Sequence, residues 1–119
     1  LTLVLPNLAR RFPLACGPEP ERLGLRVPSL PPALAALGKV RWPVLQSSAN
    51  VSGAADARRY EDVERAIRSG VDLGIDGGEL PGAPSTVVDL SAWEDSSEYR
   101  ILREGAVSAT ALAATLNRP

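Results

Sequence analysis

The apolar residues of this chain come in short runs, and prolines and glycines bound most of these runs. The run at residues 1–5 stops at Pro6-Asn7, and the alternating run at residues 23–27 stops at Pro28. Short runs that are rich in β-favouring residues and bounded by turn residues are typical of strands. The short apolar runs and the turn residues that bound them therefore predict a sheet of short strands as the framework of the fold.

The rest of the chain alternates further strands with helical segments. The same pattern predicts strands at residues 44–47, 71–75, 86–90 and 99–103. Because the strands are separated both by helices and by direct connections, the order predicts an α/β (α+β) domain. Its sheet would be a twisted, open, mixed sheet with helices packed on it.

Spacing and capping residues predict the helices. Apolar residues at helical intervals predict an amphipathic helix over residues 60–69. Ser29 can cap a short helix over residues 31–37, and its first turn accepts the prolines found there. Ser108 can cap a last helix that ends near residue 116.

Length and charge limit the classes of function. At 119 residues the chain is long enough for one small domain. Its net charge of -1 gives no bulk basic field for nucleic acid, and the arginine pairs at 10–11 and 58–59 are short charge runs that usually face solvent. The single cysteine, Cys16, favours a reducing compartment, and no apolar run is long enough to span a membrane. We therefore predict a cytoplasmic chain.

The start of the chain is unusual. There is no methionine, and the sequence begins inside an apolar run at Leu1. A primary translation product begins with Met, so these two facts predict that residues precede Leu1 in the natural protein.

Residues 47–53 (SSANVSG) are the segment best suited to binding a ligand. Small side chains let backbone N–H groups approach a phosphate or a carboxylate, and Ser hydroxyls and an Asn amide add neutral donors. If the segment follows a strand at residues 44–47, it lies where open α/β sheets bind ligands. The same residue types also form ordinary surface turns, so both interpretations stay open.

Ser85, Arg103 and Asp76 are weaker candidates, and each has a structural alternative. Ser85 could line a cleft at the start of a strand or satisfy a local backbone N–H. The guanidinium of Arg103 could bind phosphate oxygens or simply remain solvated at a strand end. Asp76 precedes two glycines, and a tight turn is favoured over a metal site because one carboxylate holds a metal poorly.

Six segments stand out when the chain is read in order. The two most distinctive are residues 48–53 (SANVSG) and 84–89 (PSTVVD). The others are residues 1–5 (LTLVL), 24–28 (GLRVP), 76–78 (DGG) and 101–105 (ILREG). Together they resemble the YrdC-type threonylcarbamoyl-AMP synthases. Because they follow the family's order over nearly the whole chain, the resemblance is specific.

The resemblance implies a nucleotidyltransferase with a twisted α/β sheet around a deep groove. Such enzymes join L-threonine, bicarbonate and ATP into threonylcarbamoyl-AMP and release pyrophosphate. A separate transferase complex then passes the threonylcarbamoyl group to an adenosine of tRNA, and some members bind double-stranded RNA. Mg²⁺ accompanies the ATP, and no protein ligand for a metal is identified in this sequence.

The resemblance also assigns residues to the site. The residues implied for ATP and the intermediate are Gln46, Ser48, Asn50 and Arg103. The residues implied for threonine, or for the carbamate end of the intermediate, are Thr2 and Ser85. Threonine carbamate is itself the nucleophile on the α-phosphate, so the protein has to position reactants and neutralise developing charge.

The sequence departs from the family in one large respect. The family's upstream half contributes a Lys-x-Arg signature and further threonine contacts, whereas Lys39 is the only lysine of this chain. Residues 1–119 are therefore predicted to be the C-terminal portion of a single YrdC-like domain that lacks its N-terminal part, with little or no synthase activity alone. A truncated sheet would expose an edge strand and apolar surface, which favours self-association.

Two other functions remain open from the sequence. One is a non-catalytic module that binds nucleotide or double-stranded RNA. The other is the carbamoyl-transfer domain of hydrogenase maturation, which shares the fold but takes a different substrate.

Overall fold

The computed structural model describes residues 1–30 and 32–116. The chain forms two compact units. The first, which we name the sheet unit, consists of Leu1–Pro43 and Pro84–Pro119. The second, which we name the loop unit, consists of Val44–Ala83.

The sheet unit is built on a sheet that has four strands within the described residues, in the order β2-β1-β3-β4. The strands are β1 (Thr2–Pro6), β2 (Arg22–Leu25), β3 (Val87–Asp89) and β4 (Arg100–Arg103). β1 and β3 are parallel, whereas β2 pairs antiparallel with β1 and β4 pairs antiparallel with β3. This mixed sheet, accompanied by helices, confirms the predicted α/β class.

The core lies on one face of this sheet. Side chains alternate between the two faces of a strand, and Val88 and Leu23 point to the same face. Val88 is almost completely buried, and Leu112 of helix α4 (Ala109–Leu116) is buried as well. Burying an aliphatic side chain of this size contributes about 1.5–3 kcal/mol, so these few residues hold the unit together.

The helices are short. Besides α4, the described residues contain α1 (Pro13–Cys16), α2 (Arg65–Ser69), α3 (Trp93–Ser96) and 3₁₀ helices at Pro32–Lys39 and Tyr60–Asp62. The predicted cap of the last helix is confirmed, because Ser108 Oγ accepts the N–H of Ala111 at 3.3 Å. None of the helices in the described part of the chain is long and apolar enough to cross a membrane.

Two helix predictions need correction. The helix predicted over residues 31–37 is a 3₁₀ helix at Pro32–Lys39, and the part of that prediction that concerns Pro31 lies outside the described residues. The helix predicted over residues 60–69 is interrupted, because the backbone is extended at Val63 and α2 begins only at Arg65.

The strands predicted at residues 44–47 and 71–75 are wrong. Both segments are irregular, and their apolar side chains, such as Leu45 and Ile75, are largely exposed. A strand needs a neighbouring strand to satisfy its backbone groups, and neither segment has one among the described residues. Residues 47–53 therefore do not follow a strand.

Candidate functional site

The six residues assigned from the sequence divide between the two units. The residues in the sheet unit are Thr2, Ser85 and Arg103. The residues in the loop unit are Gln46, Ser48 and Asn50.

Strand register places Thr2 and Arg103 on either side of Val87. Thr2 is the partner of Val87 in the parallel ladder, and Val87 is the partner of Arg103 in the antiparallel ladder. The three positions therefore form one row across β1, β3 and β4, and the ladder between β3 and β4 has an irregularity within this row, between Val87 and Val88. Strand pairing thus brings Thr2 and Arg103 to the same end of the sheet, with β3 between them.

Ser85 lies beside this row. The Nε of Arg103 donates to the backbone carbonyl of Ser85 at 3.0 Å, which fixes the base of an otherwise exposed guanidinium. The bond uses Nε and leaves the two terminal nitrogens of Arg103 to bind an anion such as phosphate. The Ser85 side chain makes no bond to a local N–H within the described ranges, so the turn-cap alternative gains no support.

The row occupies the amino end of the parallel strands β1 and β3. Ligands of open α/β sheets usually bind beyond the carboxyl ends of the strands. Here β4 runs antiparallel to β3, so the carboxyl end of β4 lies beside the amino ends of β1 and β3. Arg103 is the last residue of β4, Thr2 is the first residue of β1, and Ser85 lies just before β3. The mixed direction of the strands explains why the site departs from the general rule.

Two residues that were not identified from the sequence, Thr86 and Gly105, hold the start of β3 against the segment that follows β4. Thr86 is fully buried, and its Oγ1 accepts the N–H of Gly105 at 2.9 Å and that of Val107 at 3.0 Å. Gly105 packs so closely on the backbone of Pro84 that a Cβ there would collide with the Pro84 carbonyl oxygen. Thr86 belongs to the segment PSTVVD, which was noted in the sequence. A threonine at the start of a strand is also an ordinary β-favouring residue, so the sequence contains no separate signal for its role.

A second polar cluster lies at the opposite end of the parallel strands. Asp89, 7% exposed, forms an ion pair with Arg22, whose Nη1 lies 3.0 Å from Glu19 Oε2. One carboxylate oxygen of Asp89 also accepts the N–H of Ser91 at 2.9 Å and the Ser91 hydroxyl. The hydroxyl of Ser91 above all lowers the pKa of Asp89, against the opposing effect of burial, and Arg22 adds to the lowering. These contacts occupy both carboxylate oxygens, so the cluster links β2 to β3 across β1.

In the loop unit, the Asn50 side chain turns into its own loop. Its Nδ2 donates to the carbonyl of Ala54 at 2.7 Å, and the N–H of Ala54 donates to the carbonyl of Val51 at 2.9 Å. A side-chain atom facing a carbonyl oxygen must be the donor, so the amide orientation follows from the chemistry. The structure therefore shows Asn50 as a residue that shapes the loop.

The donors of this loop come from its backbone and from Ser48. Ser48 and Gln46 are exposed, and the Gln46 side chain donates only to the adjacent Ser47 carbonyl, at 3.3 Å. The N–H groups of residues 48–53 donate to no backbone acceptor in the described part of the chain. Consecutive free N–H groups in a loop of small residues are suited to an anion.

The arginine pairs considered for RNA are largely matched by carboxylates. Arg10 lies 2.7 Å from Glu21, and Arg58 and Arg59 share Glu79 at 3.3 and 2.8 Å. These ion pairs are exposed to solvent, where such pairs contribute little, so RNA binding at both places stays a prediction.

Asp76 forms the tight turn that was favoured over a metal site. Its Oδ1 accepts the N–H of Gly78 at 2.9 Å, and Gly78 has a φ of 80°, which glycine adopts without steric cost. Among residues 1–30 and 32–116, no group of three or more His, Cys, Asp or Glu side chains could hold a metal ion.

Comparison with known proteins gives one match. Residues 1–105 match the model of the Sua5/YciO/YrdC family, which carries the description "Telomere recombination". Neither a curated protein nor a solved structure matches the chain. The family match covers most of the chain and includes every residue of the candidate site.

Proposed function

The chain belongs to the Sua5/YciO/YrdC family, and we propose that it carries adenylate- and threonine-binding residues of an L-threonylcarbamoyladenylate synthase. The proposed reaction converts L-threonine, bicarbonate and ATP into threonylcarbamoyl-AMP, pyrophosphate and water, the water leaving when the threonine amine and bicarbonate form the carbamate. A separate transferase complex then uses the product to modify tRNA. The observation that carries the proposal is that Thr2, Ser85 and Arg103 lie at one end of the sheet, where Arg103 Nε donates to the Ser85 carbonyl.

Arg103 has the role of binding phosphate. When the oxygen of threonine carbamate attacks the α-phosphorus, the bond to the leaving pyrophosphate breaks and negative charge grows on the phosphate oxygens. A guanidinium held at its Nε by the Ser85 carbonyl meets this charge in a fixed orientation, so little reorganisation is needed during the reaction. No Ser, Cys or His of the protein has to act as a nucleophile or base.

Thr2 and Ser85 have the role of positioning threonine. Both are half-buried hydroxyl residues next to the Arg103 row, and a hydroxyl can both donate to a carboxylate and accept from an ammonium group. Threonine presents both groups, and its carbamate presents a second carboxylate. The proposed contacts therefore suit either threonine or the carbamate end of the intermediate.

In the loop unit the proposed adenylate contacts are the Ser48 hydroxyl, the N–H groups of residues 48–53 and the Gln46 amide. Asn50 contributes by holding the loop closed on Ala54. These groups are all neutral donors, so they can bind phosphate oxygens or ribose hydroxyls without introducing a full charge.

Mg²⁺ fits the proposed phosphate-binding residues of the sheet unit as a companion of ATP. Thr2, Ser85 and Arg103 are neutral or cationic, and the described residues offer no cluster of three or more carboxylate, His or Cys side chains for the ion. Mg²⁺ is commonly held by substrate phosphates and water with few protein ligands. Bound in that way, it would supply further neutralisation of the phosphate charge.

The positive charge among the proposed residues of the sheet unit is small. Arg103 is the only cation among Thr2, Ser85 and Arg103, whereas ATP carries several negative charges. Each missing charge-assisted contact in such a site costs about 2–4 kcal/mol of transition-state stabilisation. We expect the 119-residue chain by itself to bind nucleotide but to release pyrophosphate slowly at most.

Calorimetric titration with MgATP and with adenosine tests the proposal. Arg103→Gln should weaken MgATP about tenfold or more, since a hydrogen bond to a charged group contributes about 1.5–3 kcal/mol, and should leave adenosine affinity unchanged. Arg100→Gln removes the same charge from the other end of the same strand and is the matched control. Equal losses in both variants, or no MgATP binding by the unmodified chain, would refute the proposal.

A further inference from the structure

We propose that Thr86 is a positioning residue that holds the Arg103 guanidinium in place for its anion. Thr86 is fully buried and lies one residue beyond Ser85, so it cannot contact a substrate itself. The inference rests on the proposed function, because that function gives the guanidinium a phosphate to bind. The positioning itself depends only on the contacts of the sheet unit.

The Thr86 hydroxyl is saturated by one short segment. Besides accepting the N–H groups of Gly105 and Val107, it donates to the Val107 carbonyl at 2.6 Å. A buried hydroxyl with one donor and two acceptor sites can do no more. The side chain of Thr86 thus fastens the chain just beyond β4 to the beginning of β3.

The fastened segment begins immediately after Arg103. The N–H of Ala106 donates to the Pro84 carbonyl at 2.9 Å, and Arg103 Nε donates to the Ser85 carbonyl at 3.0 Å. Residues 84–86 and 103–107 are therefore joined by consecutive bonds, and those to Thr86 are made by a fully buried side chain, whereas the bond from Arg103 to Ser85 is exposed. If the hydroxyl is removed, the exposed bond from Arg103 to Ser85 loses the buried contacts that keep its two ends adjacent.

A positioning role differs from a purely structural one in a measurable way. A structural Thr86 would affect stability and every ligand contact alike. A Thr86 that acts through Arg103 affects phosphate binding only when Arg103 is present. Thr86→Val keeps the shape and removes the hydroxyl, whereas Thr86→Ser keeps the hydroxyl and removes a methyl group.

The first measurement is the exchange rate of the Arg103 Nε–H with water, followed by NMR in the full chain. The resonance is identified by its absence in Arg103→Gln. We expect Thr86→Val to accelerate this exchange about tenfold or more. An acceleration of that size corresponds to the loss of about one hydrogen bond that protects the Nε–H from exchange. Thr86→Ser should keep the slow rate. An unchanged rate in Thr86→Val overturns the proposal.

The second measurement is the MgATP affinity of Thr86→Val in two backgrounds. We expect the substitution to weaken MgATP about threefold to tenfold when Arg103 is present and by less than about twofold in Arg103→Gln, since residues that act as one unit are not additive. Equal losses in both backgrounds would mean a structural role only. If exchange accelerates as expected but the unmodified chain binds no MgATP, the positioning stands and the proposed function fails.

A folding defect in Thr86→Val does not remove the test. In that case the unmodified chain decides the matter, because the Arg103 Nε–H and the Gly105 amide should both exchange more slowly than free groups. An Arg103 Nε–H that exchanges at the rate of an unstructured arginine overturns the proposal.

Discussion

Gly105→Ala should destabilise the sheet unit strongly. A Cβ at this position would collide with the Pro84 carbonyl oxygen and lie 2.9 Å from the carbonyl carbons of Pro84 and Ser85. All of these are backbone atoms, so no side chain can rotate out of the way. The segment after β4 would have to move away from the beginning of β3.

The size of the effect follows from the contacts that such a movement breaks. Overpacking of a close contact costs about 1–3 kcal/mol. The bonds from the Gly105 N–H to Thr86 and from the Ala106 N–H to Pro84, both 2.9 Å long, would lengthen, at about 0.5–1.5 kcal/mol each. Alanine recovers about 0.4–1 kcal/mol by restricting the unfolded chain. The net loss in the free energy of unfolding is about 1–5.6 kcal/mol, with a central value of about 3 kcal/mol.

Urea denaturation followed by circular dichroism measures this loss. Gly24→Ala is the matched control, because a Cβ there lies at an ordinary 3.9 Å from the Thr2 Cγ2 in the same unit. The control should shift the free energy of unfolding by about 0.5 kcal/mol or less. If Gly105→Ala is as mild as the control, residues 84–86 and 103–107 are not held as closely as the structure indicates.

Two further predictions concern other parts of the sheet unit. The pKa of Asp89 is lowered, so its stabilising effect is complete above the unfolded pKa of about 3.9 and is lost as the pH falls through the lower folded value. Asp89→Asn should therefore lower the free energy of unfolding at pH 7 much more than at pH 2–3, and an equal loss at both pH values would contradict this. Ser108→Ala should cost about 1 kcal/mol through loss of the helix cap, whereas Thr110→Ala on the same helix should not, and denaturation curves that coincide would contradict it.

The sheet could be predicted from sequence where each run had a partner. The runs at residues 1–5, 23–27, 86–90 and 99–103 are all strands in the structure, with bounds shifted by one or two residues. The runs at residues 44–47 and 71–75 also contain β-favouring apolar residues, but they are irregular in the structure. Periodicity reports which side chains favour a strand, but pairing depends on which other segment comes alongside, and that information is not local.

The site could be predicted only in part, for a related reason. Arg103 and Ser85 were found through their motifs, yet the contact between the Arg103 side chain and the Ser85 backbone is a tertiary one. Asn7 illustrates the same limit: it is buried, and its amide bridges the carbonyls of Arg11 and Pro20 at 2.9 and 2.8 Å. An Asn after a strand is usual in a turn, so its burial gave no sequence signal.

The most direct test of the account is a structure of the chain with a non-hydrolysable ATP analogue, Mg²⁺ and L-threonine. The account predicts a phosphate oxygen about 3 Å from a terminal nitrogen of Arg103, with threonine against the hydroxyls of Thr2 and Ser85. Phosphates bound elsewhere, with Arg103 facing only water, would contradict it.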